Sequence, residues 1–132
     1  MTSCLTISLL AVVELKSAFK RLVKGRMLRE TQMAVLLSEF SSDQAAISEV
    51  VEVDTQLLED TAVILDRHSL KAGDAIHLAC ILQFKGVAPA ADVIVFTSDG
   101  ELSVACMAEG FEVLNPEDDK ALARLQHIRS GA

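Results

Sequence analysis

One stretch, Asp92-Val93-Ile94-Val95-Phe96-Thr97-Ser98-Asp99-Gly100-Glu101, limits the possible folds more than any other. Four apolar residues in a row are what a strand shows when both of its faces are covered, and such strands belong to parallel sheets. A parallel strand needs a crossover before its partner. Here Ser98 and Glu101 have capping-box spacing, and they open a helical pattern that Gly110 closes. The chain therefore reads as α/β.

The rest of the sequence alternates in the same way. Residues 5–10 are apolar and β-permissive, and residues 11–24 place Leu15, Phe19 and Leu22 at helical spacing with Lys16, Lys20 and Lys24 on another face. Gly25 reads as the C′ residue that closes that helix. A second helix follows over residues 27–40, closed by Ser41, Ser42 and Asp43, and residues 47–53 alternate as a second strand. Asp54 predicts the cap of a helix whose apolar face is Leu57, Leu58, Ala62 and Leu65. Another helix covers residues 71–84, and Gly86 and Pro89 mark the loop before the strand at residues 92–96. Residues 111–114 predict a last short strand. Asn115, Pro116 and Glu117 then open a final helix containing Leu122, Leu125 and Ile128.

Composition bounds what such an alternation can do. With 132 residues, 51% hydrophobic and 23% charged, the chain suits one ordered domain whose core needs neither disulfide nor structural metal. The longest uncharged stretch, residues 1–13, is shorter than the roughly 20 residues that span a bilayer and lacks the basic start of a secretory signal. A cytoplasmic protein without a membrane partner is expected. Cys4, Cys80 and Cys106 are odd in number and widely spaced, which predicts small core residues rather than a disulfide or zinc framework. The net charge of −7 excludes a protein that simply coats nucleic acid. Yet six of the twelve basic residues lie within residues 1–30, and residues 39–66 carry eight acids and no base. Lys16, Lys20, Lys24 and Arg26 therefore read either as a contact surface for RNA or a protein partner or as a solvated helix face.

Three carboxylates stand where parallel α/β sheets place their chemistry, near the carboxyl ends of strands. Glu14 follows the first strand, Asp74 lies in the first turn or two of its helix, and Asp99 ends the Val-Ile-Val-Phe stretch. Each has a structural alternative: Glu14 and Asp74 at helix N-termini, Asp99 as a cap. As a set they suit a hard divalent cation, which takes carboxylate oxygens from separate elements and can hold a phosphate beside a water. His77 reads as a packed helix residue.

The sequence resembles the PIN domain nucleases, and within them the toxin ribonucleases of VapC type. The resemblance lies in Ser8-Leu9-Leu10-Ala11-Val12-Val13-Glu14-Leu15, in Ser69-Leu70-Lys71-Ala72-Gly73-Asp74-Ala75-Ile76-His77-Leu78-Ala79, in Phe96-Thr97-Ser98-Asp99-Gly100-Glu101-Leu102 and in Ala108-Glu109-Gly110-Phe111-Glu112-Val113-Leu114. It implies a three-layer fold, a mostly parallel sheet flanked by helices, over residues 1–115, with residues 116–132 as a C-terminal helical extension. It also implies a metal-dependent endoribonuclease of toxin–antitoxin type. Glu14, Asp74 and Asp99 would bind Mg²⁺ or Mn²⁺, Thr97 and Ser98 would support the last acid, and RNA would be cut to a 5′-phosphate and a 3′-hydroxyl. An antitoxin protein and a second copy of the chain are the partners it implies.

The sequence departs from the family at its start. PIN domains open with a strand ending in Asp, followed by one or two helices, and this sequence has no counterpart of either. Residues 5–8 align better with the family's second strand, so the fold reads as N-terminally truncated. That strand normally lies at the sheet centre, and its loss would be made good by rearranged strands, by a homodimer or by a start further upstream. The corresponding alternative is a catalytically degenerate PIN-like module that acts through protein contacts. An unrelated small-molecule α/β domain has less support, since no Gly-rich phosphate loop precedes any helix.

Overall fold

The computed structural model describes residues 5–131; the expected core role of Cys4 lies outside them. The described residues form six helices and two small two-stranded sheets, and both strand pairings are parallel. They fall into two compact units, residues 5–54 and residues 55–131.

The first unit begins with β1 (Leu5–Ser8), followed by α1 (Leu9–Lys24), α2 (Glu30–Ile47) and β2 (Ser48–Val51). Strands β1 and β2 pair in parallel, Leu5 opposite Ser48 through Ser8 opposite Val51. The helix starts two residues earlier than the apolar pattern predicts. The buried Ser8 explains this: its Oγ accepts from the Ala11 amide at 3.1 Å, capping α1 and drawing Leu9 and Leu10 into the helix. The second helix runs through Ser41, Ser42 and Asp43, which were expected to end it. Their polar side chains are exposed there and need no turn to be hydrated.

The end of α1 corrects a second expectation. Gly25 keeps an ordinary φ of −79°, and Arg26 takes the left-handed position at φ 60°. The amides of Arg26 and Met27 donate to the carbonyls of Val23 and Leu22 at 3.0 and 2.9 Å, the paired bonds of a Schellman closure. Helix α5 (Gly100–Ala108) closes the same way with the residue usual for it, Gly110 at φ 92°.

The second unit contains α3 (Thr55–Arg67), α4 (Ala72–Val87), β3 (Ile94–Phe96), α5, β4 (Glu112–Leu114) and α6 (Asp119–Arg129). Strands β3 and β4 pair in parallel, with Ile94 opposite Glu112 and Phe96 opposite Leu114. Every buried hydrophobic residue among those described lies here, between Leu57 and Ala121. On α3 the buried stripe is Leu57, Thr61 and Ile64, whereas Leu58 and Leu65 are exposed. The sequence favoured the leucines; Thr61 is hidden because its hydroxyl donates to the Leu57 carbonyl at 2.7 Å. Helix α4 packs on α3 and α5 through Ala75, Leu78, Ala79 and Cys80, and α5 answers with Leu102, Ala105 and Cys106.

Strand β3 is covered on one face only. Val95 is buried and Phe96 exposed, so the run read as a doubly covered strand is half-covered. On α6 Ala121 is buried and Leu122 exposed, and Arg124 holds Glu112 of β4 through two bonds of 2.7 and 3.2 Å. No helix among the described residues is long and apolar enough to cross a membrane.

Candidate functional site

Asp99 occupies the junction where β3 gives way to α5. Its Oδ1 accepts from the Leu102 amide at 2.9 Å, so it, and not Ser98, is the helix cap. Thr97 holds the junction from the strand side. Its amide donates to the Leu114 carbonyl at 3.1 Å, extending the β3–β4 ladder, and its Oγ1 accepts from the Asp99 amide at 3.1 Å. Thr97 is thus a positioning residue for Asp99, while Ser98 is exposed and makes none of these bonds. Capping uses one carboxylate oxygen, and the residue itself is exposed to solvent.

Asp74 is half-buried and is the acid of the first turn of α4. The N-cap position there is Lys71, whose side chain makes no capping bond, so Asp74 supplies the negative charge that a helix N-terminus favours. Glu14 is different. It is exposed in the second turn of α1, whose first turn holds no acid and whose cap is Ser8, so the helix terminus does not account for it.

Glu14 belongs to the first unit, and Asp74 and Asp99 to the second. Among the described residues, no group of three or more His, Cys, Asp or Glu side chains is placed to hold a metal ion. The residues present therefore do not build a closed protein cage. Mg²⁺ and Mn²⁺ do not require one, since such ions are commonly held by one or two carboxylates together with waters and substrate phosphates. An exposed carboxylate such as Asp99 has the donor chemistry for that mode.

Lys16, Lys20, Lys24 and Arg26 are all exposed, and the first three recur every fourth residue along α1. Arg21 also lies on α1, donating to Ser17 Oγ at 3.2 Å. Arg21 and Lys24 occupy the last turn, where positive charge also complements the helix dipole.

The second unit holds a charged cluster that local spacing does not reveal. Glu109, at the end of α5, accepts at one oxygen from Arg67 Nη2 and from His68 Nε2, both at 2.8 Å. The His68 bond and the neighbouring Arg67 charge hold the Glu109 carboxyl below its usual range. Its partners are 42 and 41 residues away in sequence, so no helical or strand spacing could have paired them. Beside this cluster is an open groove of about 500 Å³ lined by His68, Ser69, Leu70, Gly100, Glu101, Val104 and Ala105. Cys80 and Cys106 are free and buried, and burial pushes both thiols up to about 11.

Comparison with protein families, with curated proteins and with solved structures gives no match to this chain.

Proposed function

We propose that the chain is a PIN-type endoribonuclease of the toxin–antitoxin kind, cytoplasmic, with Glu14, Asp74 and Asp99 as its acidic residues. The observation that carries this reading is the β3–α5 junction. A parallel strand ends at Phe96, the following Thr97 fixes the Asp99 backbone, and Asp99 presents an exposed carboxylate beyond the strand's carboxyl end. Glu14 likewise follows the carboxyl end of a parallel strand, β1. The finer, three-layer arrangement of that family is part of the same proposal.

A bound Mg²⁺ or Mn²⁺ would supply Lewis-acid polarisation of the scissile phosphate. The protein's own contribution is to hold the Asp99 carboxylate by capping and by the Thr97 bond, and to attract the RNA backbone with the cations of α1. Asp99→Asn separates structure from charge, because asparagine caps a helix as well as aspartate does. The full chain should cleave single-stranded RNA in Mn²⁺, and Asp99→Asn should lower the rate at least about 100-fold with an unchanged unfolding midpoint. Unchanged cleavage by that variant would remove Asp99 from the site.

A second reading, a PIN-like binding module without catalysis, is favoured by two observations. Among the described residues no three-ligand group is in place, and the first unit exposes Leu9, Val13, Met27, Val35 and Leu36 on its helices and connecting turn. Apolar exposure of that extent suits a protein partner, either an antitoxin or a second copy of the chain. Absence of cleavage by the wild-type chain, together with no Mn²⁺ binding by calorimetry, would select this reading.

A further inference from the structure

We infer that the groove beside His68 is a subsite for one unpaired nucleobase of RNA, an inference that rests on the ribonuclease reading and names where its substrate is recognised. The groove is about 500 Å³, within the range of sites that take a small ligand, and it is open along one side. Leu70, Val104 and Ala105 give it an apolar surface, and His68, Ser69 and Glu101 add polar side chains. That mixture matches a heteroaromatic base, which has an apolar face and a hydrogen-bonding edge.

His68 is prepared for this use. An ionised carboxylate can only accept, so the bond to Glu109 Oε1 places the proton on Nε2. In the neutral ring Nδ1 is then an acceptor, and no partner for it occurs among the described residues. The bond also fixes the ring, which lines the groove. A phosphate is less well served. No Lys or Arg lines the groove, Glu101 carries charge of the phosphate's own sign, and the nearby Arg67 is bound to Glu109.

Position in the chain ties the groove to the proposed chemistry. Gly100 and Glu101 follow Asp99 directly and share its helix, while Ser69 and Leu70 lead into α4, which carries Asp74. A base seated there would lie on a stretch of RNA passing Asp74 and Asp99, and would make cleavage selective for that base.

The test uses the full chain without metal and follows the histidine Cε1 protons by NMR, with His68→Gln assigning the His68 signal. Each of the four nucleoside 5′-monophosphates is titrated into the millimolar range, with ribose 5-phosphate as the probe lacking a base. At least one nucleotide should shift His68 saturably while leaving His127 still, and ribose 5-phosphate should not. Val104→Trp should fill the groove and weaken that binding at least about tenfold. Val104 is 64% exposed, so the larger side chain burdens no core. No shift with any nucleotide, or an equal shift with ribose 5-phosphate, would overturn the inference. Nucleotide binding in a chain that cleaves no RNA would sustain the groove and count against the catalytic reading; cleavage without nucleotide binding would do the reverse.

Discussion

Arg26 is the one non-glycine residue among those described with a positive φ, and it holds that conformation at the closing turn of α1. Left-handed backbone costs a side-chain-bearing residue of order 1–3 kcal/mol, part of which is offset by the extra unfolded-state freedom that glycine brings. Arg26→Gly should therefore stabilise the chain by about 0.5–1 kcal/mol, read as a higher urea midpoint. An unchanged or lower midpoint would show that the guanidinium has a structural partner. Glu109 yields a pH prediction. Its carboxyl is depressed in the fold, so its contribution is fully present above the ordinary value of 4.5 and is lost as pH falls through the lower folded value. Glu109→Gln should cost about 1 kcal/mol at pH 7, a figure discounted for the half-exposed Arg67, and the difference from wild type should shrink in denaturation curves as pH falls below 4.5. At this level the sequence was partly legible. Gly110 announced its turn because glycine is the usual left-handed residue, whereas Arg26 hid its turn behind Gly25. Glu109 could not be read at all, because its partners come from the last residue of α3 and the residue after it.

Small side chains decide how α4 meets its neighbours. Ala75, Ala79 and Cys80 on α4, with Ala105 and Cys106 on α5, leave little volume between backbones. An added side chain there has nowhere to go. Ala79→Leu should accordingly cost about 1–3 kcal/mol in thermal or urea unfolding despite its better helix propensity and greater hydrophobicity. A neutral result would place a void beside residue 79. The existence and order of the elements were readable from apolar periodicity, since helices and strands bury different spacings. The buried face of α3 was not. Leucine outranks threonine in any pattern of hydrophobicity, and only the bond from Thr61 to the Leu57 carbonyl makes the polar residue fit for burial. The end of β3 at Phe96 was readable, but its start at Ile94 instead of Asp92 and the exposure of Phe96 were not, because coverage depends on what packs against a strand.

The two units differ in kind. Residues 55–131 contain all the buried hydrophobic residues described, and α1 contributes none. Local opening is easiest where few apolar contacts hold an element. Amide hydrogen exchange of the full chain should therefore run at least about tenfold faster in α1 and α2 than in α3, α4 and α5. Equal protection would mean that the first unit is held by something other than its own packing. The candidate site divides along the same line: Asp99 and Thr97 were recognisable as a strand-to-helix junction, and Asp74 as a first-turn acid. What a single sequence could not supply was the distance among the acids, which is set by long-range packing rather than spacing.

Cys80 and Cys106 sit on facing helices of the packed unit, with both thiols pushed up to about 11. Thiolate is the reactive form, so at neutral pH these buried sulfurs react more slowly than an exposed thiol while the unit stays closed. Each opening of α4 or α5 would expose a thiol of ordinary acidity to any alkylating or oxidising agent. The chain thus carries its own clock for that event. The extent of modification at these two positions records how long the unit has spent open, and an oxidised sulfur, too polar to return to its place, would keep it so.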